Sequence, residues 1–137
     1  MSVAMDLDLG DIAPVSTANP DVGDRAIAAH CSTHDGVTPV PLYEFRPDKD
    51  GAFKIDGTIL VWQENGATLQ WSIQVGWKRS LGALEPLGVP FIGGNRKRTH
   101  LEIRTDVQGG KGRVVVVGLH DKPLYWRMKG VLFDLSS

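Results

Sequence analysis

The segment "AAHCSTHDG" places His30, Cys31, His34 and Asp35 within six positions. Imidazole, thiol and carboxylate this close are the ingredients of a metal site or of nucleophilic chemistry. A structural zinc site draws on four ligands, commonly as two spaced Cys or His pairs. His30 and His34 have a workable spacing, but Cys31 is the only cysteine, and His100 and His120 fall in separate strands or turns. A cysteine nucleophile needs a base and an oxyanion site, and nothing in the pattern marks either. The favoured reading is a packed thiol between surface histidines.

Two further clusters invite chemistry. "GGKGR" (Gly109 to Arg113) looks like a phosphate loop, but position 105 is Thr and Gly112 follows Lys111, so the Walker pattern fails. It reads as a hairpin turn; the Gly-x-x-Gly loop of KH domains joins helices, whereas this one joins strands. "NRKRTH" (Asn95 to His100) is a short basic run that could meet an acidic surface. There is no nucleophile elbow, His-Glu-x-x-His or dinucleotide fingerprint. The chain is expected to be non-enzymatic, with no catalytic residue, metal ligand or cofactor.

Charge is distributed unevenly over the 137 residues. Residues 1–24 carry Asp6, Asp8, Asp11, Asp21 and Asp24 and no basic residue, a net −5. The rest carries all 15 Lys and Arg against 11 acids, a net +4. Such a mild excess, without interleaved aromatics, argues against nucleic acid as a partner. An extended acidic arm (1–24) is expected to precede the body (25–137). It is either a solvated terminus or a strap that docks on a neighbour, with Asp6, Asp8 and Asp11 set against Arg96, Lys97 and Arg98 as the candidate interface. The start "MSVAMDLDLGDIAP" has no basic n-region or apolar core, so a secretory signal is not expected. No apolar run approaches the roughly 20 residues that span a bilayer, so no membrane association is expected. A single cysteine forbids an internal disulfide, which suits a reducing compartment or a particle assembled inside a cell.

The elements that must position these residues read as short strands. "DRAIAAHC" (24–31) fits a short helix capped by Asp24 or an extended edge segment. "VTPVPLYEFRP" holds Pro39, Pro41 and Pro47 and fits an edge strand or a polyproline-like stretch. In "FKIDGTILVWQENGATLQWSIQVGWKRS", Asn65-Gly66 predicts a two-residue hairpin turn. That register pairs Trp62 with Leu69 and Leu60 with Trp71. It puts Leu60, Trp62, Leu69, Trp71, Ile73, Val75 and Trp77 on one face, with Ile59 and Val61 opposite. Residues 80–95, rich in Gly and Pro, read as a long connection. "THLEIRTDV", "RVVVVGL" and "LYWRMKGVLFDL" read as three more strands, turned by "QGGKG" and "HDKP", with a bulge expected at Gly130.

The aggregate is an all-β, antiparallel, jelly-roll-like sandwich with an extended N-terminal arm. Four tryptophans are expected to supply much of its core, each worth on the order of 4–6 kcal/mol before entropy is subtracted. The competing reading of an aromatic stripe, a sugar-binding platform, is disfavoured because three of the rings are expected among Leu and Ile.

From about residue 53 onward the pattern resembles a β-sandwich domain of tailed-bacteriophage virion proteins, of head-associated and fibre type. The shared features are "WSIQVGWKR", "LGVP", "VVVVG" (Val114 to Gly118) and Trp126 of "YWRMKGV" eight residues beyond that glycine. The resemblance implies a virion location and a structural role. Its main form is a head cement or decoration protein, with the major capsid protein and copies of itself, as a trimer, for partners. Its alternative is a receptor- or carbohydrate-binding module of a tail or fibre, which calls for solvent-exposed tryptophan.

Overall fold

A computed structural model describes residues 24–64, 66, 68–88 and 101–135, and the backbone alone of 91–94. Asp6, Asp8 and Asp11 of the arm, and Arg96, Lys97 and Arg98 of the basic run, lie outside the described residues.

The expected antiparallel sandwich is what forms, from nine strands: β1 (Arg25–Thr33), β2 (Val40–Phe45), β3 (Gly51–Trp62), β4 (Thr68–Ser80), β5 (Ala83–Pro86), β6 (Phe91–Gly94), β7 (Glu102–Gln108), β8 (Lys111–Val117) and β9 (Leu124–Asp134). The larger sheet runs β1-β9-β3-β4-β5, with β6 also on the outer edge of β4; the smaller runs β2-β8-β7. Alternation drives the assembly. Phe53, Ile55, Ile59 and Val61 of β3, with Trp71, Ile73, Val75 and Trp77 of β4, point inward and are buried. They meet Leu42, Phe45, Val114 and Val116 of the small sheet in one core. Phe45 carries the contact between sheets, its ring centroid 5.7 Å from Phe53 and 5.0 Å from Trp77.

Segment 24–31 is extended: β1 is the edge strand beyond β9, with Ile27 and Thr33 facing in. The proline-bearing β2 is likewise an edge strand, where a missing N–H costs no ladder bond.

Three expectations need correction. The β3–β4 hairpin is present, but its register is one residue off: Val61 pairs with Leu69 and Trp62 with Thr68. The strands are joined by residues 63–67, with the Gly66 N–H bonded to the Gln63 carbonyl at 3.3 Å, rather than by Asn65-Gly66 alone. The slip moves Leu60 and Trp62 to the outer face and brings Ile59 and Val61 inside. The reason lies upstream: Lys54, Asp56 and Thr58 share the parity of Leu60 and Trp62, so placing the tryptophan inside would drag two charges into the core.

Residues 80–95 are not a plain connection. Leu81 and Gly82, both left-handed (φ 54° and 81°), make a tight turn into β5, which pairs with the end of β4. Leucine is an unusual residue for that conformation. Asp50 offsets the cost by accepting the N–H groups of Leu81 (2.9 Å) and Gly82 (3.1 Å). β6 then pairs along the other half of β4.

Gly130 is not a bulge. It sits in unbroken register between Ile27 and Gly57, where a Cβ would lie 2.5 Å from the Asp56 carbonyl oxygen, so only glycine lets the strands approach this closely. The bulge is in β2, where Leu42 is the extra residue between Pro41 and Tyr43.

The sandwich has two ends. Asp24 accepts a bond from the Asp134 N–H (3.1 Å) and the Leu135 N–H bonds to the Ala52 carbonyl (2.8 Å), so the described chain starts and finishes at one end. The turns at 63–67 and 119–123 lie at the other, about 30 Å away along β9.

Candidate functional site: the outer face of the large sheet

The "HCSTHD" cluster is dispersed by strand geometry. His30 and Cys31 are neighbours on β1 and therefore face opposite sides of the sheet. His30 is exposed on the outer face, whereas Cys31 packs against the core. Burial pushes the Cys31 thiol up to about 11, away from the thiolate a nucleophile requires. The Asp35 carboxylate is committed to its own loop: Oδ1 accepts the N–H groups of Thr38 (2.7 Å) and Val37 (2.9 Å), and Oδ2 accepts the Thr38 hydroxyl (3.0 Å). Those backbone bonds, Thr38 first, hold the Asp35 carboxyl below its ordinary range. His34 is exposed, with Nε2 3.5 Å from the Ser32 hydroxyl.

"GGKGR" is the hairpin turn expected of it. Gly109 and Gly110 adopt φ of 61° and 78°, joining Gln108 to Lys111.

The face that gathers exposed aromatic and polar side chains is the outer side of the large sheet. Trp62 on β3 pairs with Tyr125 on β9, and their rings lie 6.0 Å apart, tilted by 35°. Tyr125 is 37% exposed and Trp62 is partly exposed, whereas Trp71, Trp77 and Trp126 are at most 2% exposed. Three of the four tryptophans expected in the core are there, and Trp62 is the exception. The next row below the pair is His30, Arg127, Leu60 and Gln70, in register across β1, β9, β3 and β4. Below that come Lys129, Thr58 and Ser72. Successive rows are about 7 Å apart.

Electrostatically, the two sheets differ on their outer faces. On the small sheet, Arg113 makes a two-pronged bond to Asp106 (2.7 and 2.8 Å) and approaches Glu44 at 3.7 Å. Its guanidinium holds the Asp106 carboxyl below the usual range. Lys111 pairs with Glu44 and Arg104 with Glu102. On the large sheet, Arg127 and Lys129 form no ion pair among the described residues.

Sequence reasoning missed this face because it placed Trp62 in the core. The usable signal was the even-numbered parity that Trp62 shares with Lys54, Asp56 and Thr58.

No protein-family model matches the chain, and no curated protein matches it. Among solved structures, the tailspike protein of Acinetobacter baumannii phage AM24 is similar, at 10% identity and a TM-score of 0.47. The match covers 85% of this chain and 27% of the tailspike.

Proposed function

We propose that the chain is a non-enzymatic virion domain of the tail- or fibre-associated kind, and that it binds a surface glycan. The carrying observation is the solvent-facing Trp62–Tyr125 pair. Aromatic faces pack against the C–H face of a pyranose, and the flanking His30, Arg127, Gln70 and Thr68 supply donors and acceptors for its hydroxyls. The sequence resemblance to phage virion sandwiches supplies the setting.

A purified sample is tested by tryptophan fluorescence against host-surface polysaccharide. Trp62 is the indole open to solvent, so ligand should shield it from acrylamide quenching, and Trp62→Phe should abolish the change. A polysaccharide that binds while Trp62 stays fully quenchable would remove the reading. The head-cement reading places the work in Asp6, Asp8, Asp11, Arg96, Lys97 and Arg98, with capsid protein and a homotrimer as partners. It is restored if the full chain sediments with capsids as a trimer and a chain lacking residues 1–23 does not.

A further inference from the structure

We infer that the ligand of the outer face is an acidic glycan, whose carboxylate or sulfate is held by Arg127 and Lys129 beside the Trp62–Tyr125 rings; this rests on the glycan-binding reading. The argument starts from the unequal treatment of cations on the two outer faces. Each cation on β7 and β8 has an acid in reach: Arg104 has Glu102, Lys111 has Glu44, and Arg113 has Asp106 and Glu44. Arg127 and Lys129 stand two apart on β9, so they project from the same face, and no described carboxylate pairs with either. Their cross-strand partners are Leu60 and Thr58 on one side and His30 and Ala28 on the other. Among the described strand residues, the nearest acid on that face is Asp56, one row beyond Lys129 and opposite Val131. A structural role would ordinarily place Glu or Asp at one of those flanking positions, as the small sheet does.

The geometry suits one ligand chemistry. Tyr125 and Arg127 are two residues apart on one strand and project from the same face, with their Cα atoms about 7 Å apart, so one sugar ring on the aromatic pair brings its acidic substituent within reach of the guanidinium. Guanidinium offers a fork that matches a carboxylate or sulfate, and Lys129 adds a point charge one row further on. A neutral hexose would satisfy the rings and leave both cations idle.

The experiment uses the full chain on an array of uronate-bearing, sialate-bearing and neutral hexose polysaccharides, followed by titration of the best probe. The expected result is binding confined to the acidic probes, weakening as NaCl is raised from 50 to about 500 mM. Arg127→Gln should weaken binding at least tenfold and Lys129→Gln about threefold, with the thermal midpoint unchanged because neither side chain packs in the core. Trp62→Ala should remove binding to every probe. Binding to neutral probes alone, or unaltered affinity in Arg127→Gln, overturns the acidic-glycan inference and leaves the glycan-binding reading standing. No binding to any probe overturns both. Binding of equal strength to heparin and to unrelated polyanions such as polyglutamate also overturns it, since the rings would then contribute nothing.

Discussion

Trp71 and Trp126 form one aromatic pair of the large sheet, and Trp62 and Tyr125 form another on its opposite face. Their centroid distances are nearly equal, 6.1 and 6.0 Å. Tyr125 and Trp126 are consecutive residues, so half of each pair comes from one peptide unit. The inner rings are stacked within 18° and sealed, and the Trp126 indole N–H donates to the Thr33 hydroxyl at 3.0 Å. The outer rings are tilted and meet solvent. A like ring separation on two sides of a sheet therefore does two jobs. Enclosure turns ring area into stability, and exposure leaves it available to a ligand.

The contrast can be broken first from the inside. Trp126→Ala should cost about 3–5 kcal/mol in urea unfolding, through the cavity and the orphaned threonine hydroxyl. If it costs under about 1 kcal/mol, the inner pair is not the structural one. Thr33→Val keeps the ring but strands its buried N–H, and a loss of about 1–3 kcal/mol is expected by the same measurement. On the outer face, Trp62→Ala should cost no more than about 1 kcal/mol, the worth of a cross-strand pair, while abolishing glycan binding. A large loss of stability there would erase the distinction between the two faces.

Two smaller effects sharpen it. Leu81→Asn should stabilise by about 0.5–1 kcal/mol, because asparagine adopts the left-handed conformation more readily; the denaturation midpoint checks this. The Asp106–Arg113 pair gives the weakest term. Because the folded Asp106 carboxyl is held below its ordinary range, its contribution is complete above about pH 4 and is lost as pH falls through the lowered folded value. Asp106 is partly exposed, so solvent screening keeps the effect below about 1 kcal/mol. The urea midpoint of Asp106→Asn should vary less between pH 6 and pH 3 than that of the unaltered chain.

Much of the sandwich was legible. The β4 alternation from Leu69 to Trp77, the inward set Leu124, Trp126 and Met128, and the Gly109-Gly110 turn all follow from local pattern. What failed depended on partners distant in sequence. The register of β3 is held by β9 as well as by its own hairpin, and the sequence does not announce that β3 lies between them. The Leu81 turn is permitted by Asp50, some 30 residues earlier, so the local dipeptide gives no hint of it. The exposed aromatic face was hidden for the first of these reasons: a one-residue slip decides whether Trp62 is buried or presented. The readings placed on Asp6, Asp8, Asp11 and Arg96 to Arg98 belong to segments outside the described residues.

The ends of the described chain, at Asp24 and Leu135, lie beside Ala52 and Asp134, whereas the Trp62 and Tyr125 rings occupy the far extremity. A molecule held at Asp24 or Leu135 would stand like a post, its foot and its exposed rings separated by the length of β9. Coupling a chain that begins at Asp24 to a bead or sensor through that end should accordingly leave the rings as accessible as in free solution.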